Sequence, residues 1–179
     1  MDEIAYMRRS LNPEEFSEDE IVLPEGFDNM PLIDANEGAL YDCYNRAFIE
    51  SGVRVYQDMT EEERHNDFEH YFKARNRNEE ASMVVVRDGE ILGFSLVHSR
   101  PREAHLADIG IVPAHRGKGL GKKIMKHSLM KAAKEYDTMT LAVDVDNTSA
   151  YELFGDFGFE VDYRIITHAW KKVFKLDNN

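Results

Sequence analysis

The chain has 179 residues, 42% of them hydrophobic and 11% aromatic, which is enough apolar surface for one domain with one core and no covalent staples. Its single cysteine, Cys43, excludes an intramolecular disulfide, and a formal net charge of −12 argues against general binding of DNA or RNA, which needs a basic field. Segment 1–10 mixes acids and bases without an apolar h-region, so it does not read as a signal peptide. No apolar run approaches the ~18 residues of a membrane span. The expectation is a cytoplasmic protein without a membrane partner. No metal centre is expected either, because His65 and His70 are five apart and do not share a helix face.

In chain order, a weak strand pattern at 4–8 precedes an acidic stretch, 12–28, carrying Pro13, Pro24 and Gly26, so that 1–30 reads as an irregular lead-in with room for one extra strand. Leu40, Cys43, Tyr44, Ala47 and Phe48 at helical spacing predict a helix over 36–50. Thr60 followed by Glu61, Glu62 and Glu63 resembles a capping box, opening a second helix over 60–74 that buries Phe68 and Phe72. Its acidic first turn suits the positive end of the helix dipole. A valine-rich strand at 82–87, the turn pair Asp88-Gly89 and a return strand at 90–98 form a hairpin. A further strand covers 105–112, and Pro113 ends it. A glycine-rich turn leads into a helix over 119–136 with Leu120, Ile124, Leu129 and Ala132 on its apolar face. A strand at 138–145, a short helix at 148–157 and two strands at 159–163 and 165–174 complete the order. The fold class predicted is α/β (α+β): residues 1–179 as one domain around a mixed, largely antiparallel sheet of six to seven strands with about four helices.

The run Ile109-Gly110-Ile111-Val112-Pro113-Ala114-His115-Arg116-Gly117-Lys118-Gly119-Leu120-Gly121-Lys122-Lys123 is the informative stretch. Gly117, Gly119 and Gly121 let the backbone turn sharply and leave its N–H groups uncovered. With a helix N-terminus behind them, those amides form an anion cradle. Arg116, Lys118, Lys122 and Lys123 add positive charge in an otherwise acidic chain, and a diphosphate suits the arrangement. Two other phosphate loops are excluded by spacing. A Walker A motif fails because Gly121-Lys122 is followed by Lys123 and Arg116 stands at the first glycine position. Gly-x-Gly-x-x-Gly fails because Ile124 stands where the third glycine belongs. The plain alternative is a glycine-rich turn that binds nothing.

Arg116, Gly119 and Gly121 match the Arg/Gln-x-x-Gly-x-Gly/Ala pyrophosphate motif of the GNAT superfamily, which this chain resembles, and Pro113 stands where that family often has proline. A second segment, Asn147-Thr148-Ser149-Ala150-Tyr151-Glu152-Leu153-Phe154-Gly155-Asp156-Phe157-Gly158-Phe159, resembles the family's Asn-x-x-Ala-x-x-Leu-Tyr-x-x-x-Gly-Phe. Asn147 is in addition a natural helix N-cap. The resemblance covers 103–159. It implies a sheet splayed between the family's fourth and fifth strands, here 105–112 and 138–145, with acetyl-CoA as co-substrate in the splay. It further implies that the pantetheine arm bonds main chain near Ile111 and Val112. The diphosphate would rest on amides of Gly117, Lys118, Gly119, Leu120, Gly121 and Lys122, Asn147 would reach the pantetheine, and Phe154 would pack near the thioester. The implied activity is acetyl transfer to a primary amine by direct attack in a ternary complex. The sequence does not identify the acceptor, and a small cationic amine, a peptide N-terminus and a lysine all stay open. Many relatives are dimers, so a homodimer is the default.

An alkyl amine with a pKa of about 10.4 is neutral in only about one molecule in 10³ at pH 7, so either a base helps or the site lowers that pKa, and a carboxylate is the usual answer. Glu103 lies ten residues before Pro113, a spacing at which some family members that acetylate protein N-termini keep their base; a solvated carboxylate is the alternative. Asp108, inside a strand, is the second candidate, and His105 the third. The general acid is a departure from the family, since Phe154 stands where tyrosine is usual. Tyr151, one turn earlier, is the candidate substitute, and water the other. The same departure supports an alternative function, a non-catalytic acyl-CoA-binding sensor or regulatory module.

Overall fold

Seven strands and five helices make up the computed structural model, which describes residues 2–49 and 54–167. The strands are β1 (Asp2–Ser10), β2 (Asp28–Met30), β3 (Met83–Arg87), β4 (Glu90–Ser99), β5 (Ala104–Ile111), β6 (Thr138–Asp144) and β7 (Glu160–Thr167). The helices are α1 (Glu37–Ile49), α2 (Arg54–Gln57), α3 (Glu61–Phe72), α4 (Leu120–Ala132) and α5 (Thr148–Asp156). All strands belong to one sheet in the order β2-β3-β4-β5-β6-β1-β7. Every neighbour pair is antiparallel except β5–β6, which is parallel.

Local chemistry accounts for several of these elements. Asp88 and Gly89 have φ of +51° and +80°, the left-handed pair that a two-residue hairpin turn needs between β3 and β4. Thr60 caps α3 reciprocally: its hydroxyl oxygen accepts from the Glu63 amide, and the Glu63 carboxylate accepts from the Thr60 amide. The core forms on both faces of the sheet. Tyr44, Phe68 and Phe72 of α1 and α3 pack on Phe94 and Leu96 of β4. On the other side, Met125 and Leu129 of α4 and Phe154 of α5 pack on Leu106, Met139 and Leu141.

The sheet opens between β5 and β6. Their ladder consists of Ala104↔Met139, His105↔Thr140 and Leu106↔Leu141, and the strands are unpaired beyond it. This is the splay expected between 105–112 and 138–145. At the same level β5 carries a bulge against β4: Val97 faces Leu106 and Leu96 faces Asp108, so Ala107 is the extra residue.

The lead-in is more regular than its composition predicts. Residues 2–10 form a full strand in the sheet interior, with Ile4 and Ala5 fully buried. Ala5 and Met7 bury one face, while the other carries the exposed Arg8 and Ser10 but also the buried Ile4, which blurs the alternation and explains the weak pattern. Residues 18–21 form a 3-10 turn capped by Ser17, and β2 pairs with β3. The break predicted between strands at 159–163 and 165–174 is absent. A single strand, Glu160–Thr167, runs through it, held where Arg164 pairs with Ala5 in the ladder. The rest of the predicted last strand, and Glu50 of the predicted first helix, lie outside the described residues. The helix predicted to reach 136 ends at Ala132.

Gly110 lets α1 approach β5. A Cβ there would meet the Ala47 Cβ at 3.0 Å and the Phe94 ring at 3.1 Å. Gly110→Val is therefore expected to cost about 1–3 kcal/mol through overpacking. In a thermal melt this appears as a fall in Tm of roughly 2–12 °C for a domain of this size.

Candidate active site

The site grows from the point where β5 and β6 part. The Val112 N–H donates to the Leu92 carbonyl at 2.9 Å. Strand alternation then turns the N–H groups of Ile109 and Ile111 to the opposite side, toward the fork, where β6 offers no partner. This is the edge that sequence reasoning assigned to a pantetheine arm through Ile111 and Val112. Val112 itself is buried and committed to Leu92, so Ile109 and Ile111 supply the free edge.

The glycine turn follows directly. Gly117 and Gly119 have φ of +73° and +77°, and Gly119 is the N-cap of α4 in the left-handed region. A Cβ at Gly117, Gly119 or Gly121 would meet nothing within 4 Å, so these glycines do not serve internal packing. They keep the space over the amides open. The first helical bond is Lys123 N–H to the Gly119 carbonyl, 3.2 Å, which leaves the amides of Leu120, Gly121 and Lys122 without helical acceptors. Four basic residues surround the turn, and the structure sorts them. Arg116 is turned to main chain, donating from Nε to the Ile111 carbonyl at 3.0 Å and from Nη2 to the Ala47 carbonyl at 2.7 Å. Its side chain ties the turn to α1, a role the motif does not reveal. Lys118 Nζ lies 3.3 Å from His115 Nδ1, and Lys123 donates to the Glu20 carbonyl at 2.8 Å. Lys122 is exposed.

Asn147 caps α5, its Oδ1 accepting from the Ala150 amide at 3.4 Å. Phe154 is 5% exposed and meets Phe159 edge-on at 6.0 Å, so it is a core residue that supplies no proton. Tyr151 is directed to β7, where its hydroxyl oxygen accepts from Arg164 at 3.2 Å. In the sheet order, β1 and β6 separate β7 from the fork. The structure thus turns the proposed substitute acid away from the site.

The candidate bases are also separated. Glu103 lies just before β5, at the closed end of the β5–β6 ladder. Its carboxylate accepts from the Thr140 hydroxyl at 3.0 Å and lies 3.6 Å from both Arg8 and Arg100. It is a structural ion-pair residue. Thr140 has one hydroxyl hydrogen and gives it to Glu103, so the 3.0 Å contact from His105 Nδ1 to the Thr140 oxygen requires the Nδ1–H form of the imidazole. Burial, with Arg100 and His98 beside it, holds the His105 pKa well below its usual value and keeps the ring neutral.

Asp108 occupies the open side. Without the bulge at Ala107, residues 105 and 108 would face opposite sides of the sheet; with it, both face α1 and α3. The Tyr56 hydroxyl donates to Asp108 Oδ1 at 3.4 Å, and the Tyr44 hydroxyl donates to Asp67 Oδ2 at 2.6 Å. Phe48 stacks on Tyr56 at 4.4 Å, and Tyr44 meets Tyr56 edge-on at 5.6 Å. Burial, reinforced by the negative Asp67, raises the Asp108 pKa well above the carboxylate range against the bond from Tyr56. Burial raises that of Asp67 as well. Sequence reasoning named Asp108 among the candidate bases and gave Tyr44 and Asp67 no part in the site; the available signal was an acid flanking the buried Phe68 of α3.

A forked sheet with an open glycine-lined amide turn at its mouth and a pKa-raised carboxylate inside is a candidate site for an anion-bearing ligand and for proton transfer. The residues present fit acetyl-CoA: uncovered amides for a diphosphate, and a free strand edge for an amide-bearing arm. The family model described as Acetyltransferase (GNAT) family matches residues 39–159, and the chain belongs to that family. It is 32% identical over 177 residues to a mycothiol acetyltransferase of Streptomyces griseus, covering 93% of this chain and 54% of that protein. The chain therefore spans about half the length of this curated relative. Its fold is similar to a GCN5-related N-acetyltransferase of Sphaerobacter thermophilus, with a TM-score of 0.66 at 20% identity, over 91% of this chain and 49% of that one. It is also similar to the PaiA N-acetyltransferase of Thermoplasma acidophilum in complex with coenzyme A, with a TM-score of 0.59 at 13% identity, over 76% of this chain and 91% of that one. Among the described residues, no helix is long and apolar enough to cross a membrane, and no group of three or more His, Cys, Asp or Glu could hold a metal ion.

Arg116→Ala removes a charged donor from two main-chain carbonyls. It is expected to cost about 1.5–3 kcal/mol, seen as a lower denaturant midpoint with an unchanged slope.

Proposed function

We propose that this chain transfers the acetyl group of acetyl-CoA to a primary amine by direct attack in a ternary complex, with Asp108 as the general base. The observation that carries the reading is Asp108 itself, a partly buried acid of raised pKa on the open side of the fork, one residue from the free Ile109 amide. The amine arrives protonated, and Asp108 takes its proton. A carboxylate whose pKa is lifted toward neutrality is the better base for that transfer. The Tyr44, Phe48 and Tyr56 rings beside it favour a cationic acceptor by placing ring faces and edges around the acid. The Ile109 and Ile111 N–H groups supply donors for the charge that develops on the carbonyl oxygen. Phe154 and the outward-turned Tyr151 leave the thiolate to be protonated by water. The same lack of a phenol favours a second reading, an acyl-CoA sensor. Release of free CoA in the presence of amines separates an enzyme from a sensor.

Acetyl-CoA at ~100 times its Kd is expected to stabilise the protein by about 2.7 kcal/mol and raise Tm by roughly 5 °C or more. Gly119→Glu, which puts a carboxylate at the open amide turn, should abolish that rise. A wild-type protein that shows no rise at millimolar ligand would refute the reading.

Asp108→Asn should lower kcat by about 10²–10⁴ while keeping the acetyl-CoA-induced rise in Tm. The folded-state pKa of Asp108 is raised, so the native chain binds more protons than the unfolded one between about pH 4 and that pKa, and stability falls as pH rises through this window. Asn carries no such penalty, so the variant should melt higher than wild type at pH 7. Wild-type kcat/KM should rise with pH through an acid limb above the ordinary carboxylate range. Glu103→Gln, by contrast, should lower Tm and leave kcat within about ten-fold.

A further inference from the structure

We infer that Tyr56, Tyr44 and Asp67 form a hydrogen-bonded relay that carries the proton taken by Asp108 out of the fork to α3. The inference rests on the reading of Asp108 as the base and gives that base positioning residues on α1, α2 and α3. Their oxygens stand in sequence. The Tyr56 hydroxyl donates to Asp108 Oδ1 at 3.4 Å, and the Tyr44 hydroxyl donates to Asp67 Oδ2 at 2.6 Å. Between them, the Tyr56 and Tyr44 hydroxyls lie within hydrogen-bond reach of each other. Tyr44 is fully buried, so water does not serve its hydroxyl. Packing holds both rings: Phe48 stacks on Tyr56 at 4.4 Å, and Phe68 and Phe72 meet Tyr44 edge-on at 5.6 and 6.0 Å.

Each phenol has a single hydrogen. With both acids ionised, those hydrogens point outward to the carboxylates and the link between the phenols is open. It closes when Asp108 takes a proton from the amine and becomes a carboxylic acid. The new O–H donates to the Tyr56 oxygen, Tyr56 turns its own hydrogen to the Tyr44 oxygen, and Tyr44 already donates to Asp67. The proton of Asp108 then passes to Tyr56, that of Tyr56 to Tyr44 and that of Tyr44 to Asp67. At each oxygen along the line one O–H bond breaks as another forms. The negative charge moves from Asp67 to Asp108, which is a base again. Burial raises the pKa of both phenols, so neither becomes a phenolate on the way and the shift is concerted. Asp67 is half-buried where Tyr44 is closed off, and it loses the proton to water. The exposed His70, three residues on in α3, favours the charged form to which Asp67 returns.

Other polar groups nearby are held elsewhere. Opposite Asp108, β4 presents Leu96; His105 is bonded to Thr140; Arg64 of α3 donates to the Met59 carbonyl. Asp67 is also an expensive choice if its task is only to bond Tyr44. Burial penalises its charge, whereas a neutral asparagine would accept the same bond. What the carboxylate adds is a place to receive a proton.

The test is the steady-state release of CoA from acetyl-CoA by the whole protein. The acceptor probes are n-butylamine, benzylamine, 1,4-diaminobutane and a lysine-containing peptide, and the fastest of them is used for every variant. Asp67→Asn keeps an oxygen for the Tyr44 hydroxyl but cannot take a proton. It is expected to lower kcat by about ten-fold or more, short of the 10²–10⁴ lost with the base itself, without lowering Tm. Added imidazole, a diffusible proton carrier, should restore the rate of the variant and leave wild type unchanged. Tyr44→Phe should show the same fall and the same recovery, and the double variant should fall no further, since both changes cut one line. Wild-type kcat in Asp67→Asn would overturn the relay, because asparagine serves the Tyr44 bond equally well. A fall that imidazole does not restore would overturn it too, as would losses that multiply in the double variant. Full kcat in Asp108→Asn would instead overturn the reading of Asp108 as the base, and a wild type that releases no CoA with any probe would overturn the acetyl-transfer reading. Melting curves of each variant establish that it is folded.

Discussion

The parting of β5 from β6 after a short parallel ladder is the constraint on which the site depends. Each strand keeps a partner on its outer side. β5 runs with β4 from Ser99↔Ala104 to Gly93↔Ile111, and β6 runs with β1 from Ser10↔Thr138 to Ile4↔Asp144. Their inner edges past Leu106 and Leu141 have no such partner, and main-chain polar groups inside a protein must find one. Arg116 supplies it for the Ile111 carbonyl, and in doing so fixes the glycine turn against the end of α1. The remaining groups face the fork. The same one-residue bulge that brings Asp108 to the α1 side lies at the level where the ladder stops, so strand separation and placement of the acid have a common structural origin.

Around that fork the protein accepts electrostatic cost. Burial favours the neutral forms of Asp108 and Asp67, and the charge of Asp67 raises Asp108 further. A fold optimised for stability alone would replace them, so their presence fits the general conflict between activity and stability. The contrast with Glu103 is instructive. It has more partners, two arginines and a threonine hydroxyl, and for that reason is the less suitable base.

Much of the architecture was legible because it is written in short-range chemistry. The Asp88-Gly89 turn, the Thr60 box, and the glycine turn before α4 each depend on a few adjacent residues. The weakest parts of the reading fail for a common reason: they depend on residues far apart. β1 shows little alternation because Ile4 is buried on the face that otherwise carries the exposed Arg8 and Ser10. The bulge at Ala107 is a matter of register between two strands, and no pattern in 104–111 displays it. Arg116 sits at the expected place in its motif, yet the carbonyl it holds belongs to Ala47. Tyr151 has helical spacing to Phe154 that suggests a shared face, but Arg164 on a distant strand decides where its hydroxyl goes. The cradle could be read from the sequence; its acid could not be chosen.

The position of β1 also governs the order in which the molecule can be assembled. Its two neighbours are the sixth and seventh strands, and Asp2 pairs with Thr167. During synthesis the first strand emerges with Ile4, Ala5 and Met7 uncovered and must wait for nearly all the described residues to follow before either flank is filled. Local hairpins such as β3–β4 can form early, whereas closing this half of the sheet demands contacts of the greatest sequence separation, the kind that slow folding. Until then a strand with two vacant edges and the apolar side chains of Ile4, Ala5 and Met7 is available to other chains, a state open to aggregation.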